Sequence, residues 1–334
     1  MTKSCLEPSA TARNFVAVRT LVIGGAGYIG SVVASQLVEA GHEVVVFDSL
    51  ISGHRSAVHP EAEFVLGDVL DVDALKSTMQ GCDYVFHFAA LSIVGESMTD
   101  PLRYFRVNVG GTLNVLESMR ATDVPRLVFS STAATYGEPA SVPIAETAAT
   151  RPTNAYGAAK LSADQAISFA CVAHGLSATS LRYFNVAGAS HGCGESHNPE
   201  THLIPLVLQV AAGIRPNVAI YGTDYPTPDG TAVRDYIHVG DIGRAHLLAA
   251  EAPTVGEHRI YNLGNGRGFS VRELIAVARA VTGKEIETIE SPRRAGDPAV
   301  LVASSELIRA DLGWEPQLPT LESMVGDAWD HMQK

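Results

Sequence analysis

From residue 18 onward, short apolar runs alternate with longer stretches whose apolar positions fall at helical spacing. The strand-like runs are VRTLVIGG, EVVVFD, EFVLGD, DYVFHFAA, RLVFSS and ATSLRYF; between them lie SVVASQLVEAG, LNVLESMRA and DQAISFACVAHG. Alternation of this kind predicts a doubly wound α/β fold. Parallel strands need crossover connections, and helices on both faces explain why the strand segments are apolar at consecutive positions. After residue 187 the texture changes to Gly, His, Glu and Pro-rich loops, interrupted by the apolar LIPLVLQVAAG and by YIHVGDIGRAHLLAAEA. Residues 15–187, with a return to the sheet at about 236–263, are therefore expected to form a dinucleotide-binding domain. Residues 188–235 and 264–334 are expected to form a smaller mixed α/β substrate lobe, and 1–14 a mobile polar leader.

A chain of 334 residues, 46% of them hydrophobic, has the material for a large core. Its formal charge of −12 argues against a nucleic-acid partner, which would call for a basic face. No run approaches the roughly 18 apolar residues of a membrane span, and the first residues lack a hydrophobic signal core. Four scattered cysteines form no C-x-x-C pair, which fits a reducing, cytoplasmic setting.

The first strand runs straight into GGAGYIG, where Gly24, Gly27 and Gly30 precede a helical pattern. Glycines there let the backbone approach a pyrophosphate, whose charge the helix N-terminus favours. Asp48 closes the next strand, 18 residues after Gly30, where a carboxylate bonds both ribose hydroxyls and repels a 2′-phosphate. NAD is thus expected rather than NADP. Asp68, Ala89 and Ala90 stand at further carboxyl ends of parallel strands, the edge at which ligands of such sheets collect. Ser131 and Thr132 end the RLVFSS strand at the same edge. In NAYGAAK, Tyr156 and Lys160 are four residues apart, hence on one helix face, where an ammonium favours the phenolate. Hydroxyl, phenol and ammonium beside a hydride acceptor are equipped to deprotonate an alcohol.

With these residues in view, the chain resembles the UDP-hexose 4-epimerase family of extended short-chain dehydrogenases/reductases. The likeness covers nearly everything from about Val18 onward and is carried by GGAGYIGS, VGES, NVGGTLNVL, NAYGAAKL, LRYFNVAGA, GTAVRDYIHVGD, YNLGNG and PRRAGDP. The resemblance implies that Tyr28, Ile29, Asp48, Asp68, Val69, Phe88, Ala89, Ala90, Asn108 and Phe184 touch NAD. It implies that Asn185, His202, Leu203, Ala219, Tyr221, Arg234, Arg294, Asp297 and Leu301 hold a UDP-sugar, and that the chain is a homodimer. Independently, guanidinium forks suit a pyrophosphate on an otherwise acidic protein, which singles out Arg234 and Arg294. The implied reaction inverts C4 of the sugar by transient oxidation to a ketone. Tyr156 acts as base, Lys160 lowers the tyrosine's pKa, and Thr132 hydrogen-bonds the reacting oxygen.

Some positions depart from the family pattern. Thr132 stands where many members have serine, Ser92 where some carry lysine, and His202 replaces a frequent asparagine. Leu301 stands where bulky tyrosine occurs in some members, which leaves room for an N-acetyl group. A UDP-N-acetylhexosamine or a UDP-pentose is thus an alternative substrate, and a non-catalytic sensor of NAD or nucleotide sugar is the alternative of another class. A 4,6-dehydratase would need an acid and base beside Thr132, where Ala133 and Ala134 stand. His191, Cys193, His197 and His202 crowd one loop, but their spacing matches no familiar zinc motif, and no metal is expected from them.

Overall fold

The computed structural model describes residues 18–252, 254–294 and 297–334. The polar leader expected at 1–14 lies outside the described residues. Seven strands form one wholly parallel sheet. They are β1 (Arg19–Ile23), β2 (Glu43–Asp48), β3 (Glu63–Leu66), β4 (Tyr84–His87), β5 (Arg126–Thr132), β6 (Ser177–Tyr183) and a last strand His258–Leu263. Across the sheet the last strand comes first, followed by β6, β5, β4, β1, β2 and β3. The order reverses between β1 and β4, which opens a crevice at the carboxyl edge of the sheet.

Alternating residues of each strand feed separate cores. Leu21, Ile23, Val45 and Phe47 pack beneath the helices Gly111–Ala121 and Ala155–His174, whereas Val22, Val44 and Val46 join α1 (Tyr28–Glu39) and the helix Val239–Glu251 on the other face. Both faces are dry, which is why the strand segments read as continuous apolar runs.

The remaining chain makes a third core. The helices Leu203–Ala211, Val271–Thr282 and Leu321–Met332 pack Leu208, Leu274 and Met324 together. Short strands frame them. Val218–Tyr221 pairs with Thr288–Ser291, and Val233–His238 pairs with Gly268–Ser270, Val300–Leu301 and Asn185–Ala187. Because Val233–His238 bonds both to Asn185–Ala187, just beyond β6, and to Val300–Leu301, this strand ties the third core to the sheet edge.

Candidate active site

A cleft of about 1150 Å³ runs along the carboxyl edge of the sheet and under the third core. Gly24, Gly27, Tyr28, Ile29 and Gly30 line one end. Gly24 has φ +82°, and a Cβ there would lie 2.5 Å from the Ala89 nitrogen; at Gly30 it would lie 2.2 Å from the Gly24 oxygen. Two backbones touch where any side chain would intrude. The Tyr28 hydroxyl donates to the Gly188 carbonyl at 2.5 Å. Burial, reinforced by the carboxylates of Glu195 and Glu200, holds that phenol well above its ordinary pKa.

Asp48 ends β2 with a nearly buried carboxylate. One oxygen accepts the Ala26 N–H at 2.9 Å and the other the Leu50 N–H at 2.8 Å, so the side chain also pins the glycine turn. Asp68, Val69, Phe88, Ala89 and Ala90 line the same end. Asp68 accepts the Leu70 N–H at 2.9 Å. Asn108 differs from the other positions expected at the cofactor. It sits in a π-helical turn, Phe105–Gly110, and its amide exchanges both bonds with the Leu91 backbone, at 2.8 and 2.9 Å. Its polar atoms shape the loop after β4 instead of facing the cleft.

Thr132, Tyr156 and Lys160 meet at the floor of the cleft. Asn154 caps the helix Ala155–His174 by accepting the Gly157 N–H at 2.8 Å, which places Tyr156 in the first turn. The small residues between Tyr156 and Lys160 have a steric cause: a Cβ at Gly157 would lie 2.4 Å from the Ala134 oxygen. This close approach brings the helix against the turn after β5, where the Thr132 hydroxyl accepts the Ala134 N–H at 3.2 Å and stands near enough to Tyr156 to favour its phenolate. Lys160 is 2% exposed; its Nζ donates to the Ser130 carbonyl at 2.7 Å and lies 4.6 Å from the Phe129 ring centroid. Burial lowers the Lys160 pKa to about 8, against the countervailing charge of Asp164. It raises Tyr156 to about 12, the Thr132 hydroxyl opposing. Burial of the phenol thus works against the lowering expected from Lys160. Ser131, at the same strand end, spends its hydroxyl on Asp164 at 3.1 Å, behind the floor.

At the far end the third core supplies the lining. Phe184 and Asn185 follow β6, and Leu203 opens the helix after the loop bearing His202. Ala219 and Tyr221 lie on Val218–Tyr221. Arg234 is the parallel register partner of Leu301, so the two side chains share a face. The Arg234 guanidinium pairs with Asp297 and donates to the Val233 carbonyl at 2.7 Å. The Arg294 guanidinium stacks 4.0 Å over the Tyr221 ring. All of these line the cleft, as does Ser92.

Residues 20–264 match the model of the NAD dependent epimerase/dehydratase family. The chain belongs to this family. Among curated members it is 57% identical to a UDP-glucose 4-epimerase of Streptomyces lividans, over 93% of this chain and 94% of that one. Among solved members it matches the UDP-glucose 4-epimerase of Brucella ovis, in complex with NAD, at TM-score 0.91 and 45% identity, covering 94% of this chain and 98% of the other. A UDP-glucose 4-epimerase of Stenotrophomonas maltophila, with bound NAD and formylated UDP-arabinopyranose, matches at TM-score 0.90 and 40% identity, over 95% and 98% of the two chains.

The residues at the first end fit the cofactor named by the family. The glycine turn leaves backbone exposed where a side chain would collide, and Asp48 stands at the neighbouring strand end. Other cleft-lining residues lay outside sequence reasoning: Arg215, after the helix Leu203–Ala211, and Glu195, in the loop before it. An arginine beside a proline or a glutamate in a polar loop carries no motif; only folding brings them to this family's cleft.

Proposed function

We propose that the chain is a UDP-glucose 4-epimerase, interconverting UDP-galactose and UDP-glucose through a 4-keto sugar. One observation carries the reading: Thr132, Tyr156 and Lys160 converge at the middle of a cleft with a dinucleotide turn at one end and two arginines at the other. NAD, held by the Gly24–Gly30 turn, Asp48, Asp68 and the Phe88–Ala90 loop, supplies the hydride acceptor when bound. Tyr156 takes the proton of the 4-hydroxyl and returns one to the product oxygen. Thr132, lining the cleft floor with the phenol, holds the reacting oxygen beside it. Lys160 spends one N–H on Ser130, which leaves donors for the nicotinamide ribose and a positive charge to favour the phenolate. A buried phenol with a pKa near 12 becomes a base only when positive charge stands against it.

Inversion requires the keto sugar to turn over while its nucleotide stays anchored. Arg234 and Arg294 are fit to grip the pyrophosphate and Tyr221 the uridine, so that binding energy lies away from the reacting carbon. Leu301, half-buried on the sugar side, favours tolerance of an N-acetyl group and keeps UDP-N-acetylhexosamine as a second substrate. Incubating purified protein with UDP-galactose and assaying for UDP-glucose tests the reading, and the N-acetylated pair tests Leu301. No product from UDP-galactose under any NAD loading would overturn the function.

A homodimer completes the proposal. Leu102, Leu113, Phe169 and Val172 are large apolar side chains left 50–81% exposed on neighbouring helices, a face suited to a second copy. A cytoplasmic setting agrees with the three free, buried thiols of Cys82, Cys171 and Cys193. Among the described residues no helix is long and apolar enough to cross a membrane.

A further inference from the structure

The four-residue grouping suggested by the His-rich loop is not assembled. His191 Nδ1 bonds Glu39 at 2.7 Å, and the Cys193 thiol faces the Ala57 carbonyl at 3.5 Å. A different set comes together. The segment ESHNPETH contains two Glu-x-His units, Glu195-Ser-His197 and Glu200-Thr-His202, folded alike. Glu195 Oε1 accepts the N–H groups of residues 196 and 197 at 3.0 and 3.2 Å and meets the His197 ring. Glu200 Oε1 accepts those of 201 and 202 at 2.6 and 2.7 Å and the His202 Nδ1 at 2.8 Å. The two imidazoles lie 5.5 Å apart, centroid to centroid. One ligand atom each from Glu195, His197 and His202 lies within 4.8 Å of the others.

We infer that this loop binds a divalent transition-metal ion, with Zn2+ as the fitting class, through Glu195, His197 and His202. Two nitrogens and a carboxylate oxygen are a donor set suited to zinc, with a fourth position left for water. Glu200 acts as a positioning residue, orienting His202 as carboxylates orient metal-bound histidines. A second observation points the same way. The Glu195 and Glu200 side chains are only 11% and 7% exposed, their ion pairs among the described residues run to histidines, and Glu195, His197 and His202 line the cleft proposed to take anionic nucleotides. A partly desolvated carboxylate lining a cleft proposed for anionic ligands favours a cation beside it. The ion would fasten the loop to the start of the helix Leu203–Ala211, whose first residue lines the nucleotide end.

Titrating Co2+ into the purified full chain and reading its ligand-field absorption tests the site, with Zn2+ added afterwards as competitor. One Co2+ per chain is expected, displaced by one Zn2+. His197→Ala should weaken Co2+ more than about 100-fold and Glu200→Gln about 10- to 100-fold. His174→Ala, at a distant helix end, should change nothing. Zn2+ should raise the Tm of the wild type and leave that of His197→Ala unmoved; if that variant fails to fold, the near-isosteric Glu195→Gln gives the same readings. Absence of a Co2+ spectrum at millimolar metal, or one that survives in both His197→Ala and Glu195→Gln, overturns the inference.

Discussion

At the NAD end of the cleft the site is made by backbone: Gly24 at φ +82°, the turn closing on Ala89, and Asp48 bonding the turn from below. At the UDP end it is made by side chains held by other side chains: Arg234 by Asp297, Arg294 by Tyr221. The first end is local in sequence and sits on a seven-stranded sheet; the second gathers residues from 185 to 301 on short strands and loops. The difference suits the chemistry proposed. A cofactor that stays bound through every cycle needs a rigid cradle with no room for variation. A substrate that turns over needs a firm grip on its diphosphate and little hold on its sugar.

That contrast orders the effects of substitution. Tyr156→Phe, at the junction of the two ends, should lower kcat by about 10²- to 10⁴-fold while UDP and NAD still bind, measured by initial rates and by calorimetry. Arg234→Lys strikes the UDP end alone. Loss of a forked charged contact, roughly 1.5–3 kcal/mol, should raise KM for UDP-galactose about 10- to 100-fold with NAD content unchanged. Gly24→Ala strikes the other end, with a backbone penalty of about 1–3 kcal/mol at positive φ plus the clash with Ala89. The purified variant should carry less NAD yet keep its UDP affinity; parallel loss of both would erase the distinction between the ends.

The smallest effect concerns pH. Burial lowers the Lys160 pKa to about 8 from 10.5, so between these values the folded state holds fewer protons than the unfolded one. Stability from this group therefore rises as pH climbs through that window. Tyr156, raised to about 12 from 10, keeps a proton that the unfolded state releases, and lowers stability only above pH 10. Urea titrations of the cofactor-free protein at pH 8 and 10 should show the rise in wild type and a smaller one in Lys160→Met. That variant should also be the more stable at pH 7, where the buried ammonium costs most. Equal slopes would remove the buried charge from the account.

Six of the sheet's seven strands were legible because strands covered on both faces are apolar at consecutive positions; the seventh, His258–Leu263, begins with the polar pair His258–Arg259 and is bracketed only by an expected return at about 236–263. Asp48 and the Tyr156–Lys160 pair were legible because strand ends and one helix turn fix their neighbours. The third core was far less so. Pairing of Val218–Tyr221 with Thr288–Ser291 joins segments about 70 residues apart, and strands this short leave almost no periodic signal. Asn108 was assigned to the cofactor by motif, and only the π-helical turn reveals that its amide is used on Leu91. The burial that raises the Tyr156 pKa was also hidden, because spacing reports a nearby ammonium but not how dry the site is.

The central claim is that a single hydrogen leaves C4 of the sugar and comes back to the other side without meeting solvent. Turnover of UDP-galactose carrying deuterium at C4, in ordinary water, tests it directly by mass spectrometry of the UDP-glucose formed. Full retention of the label at C4 is expected, whereas exchange with solvent hydrogen would contradict the mechanism.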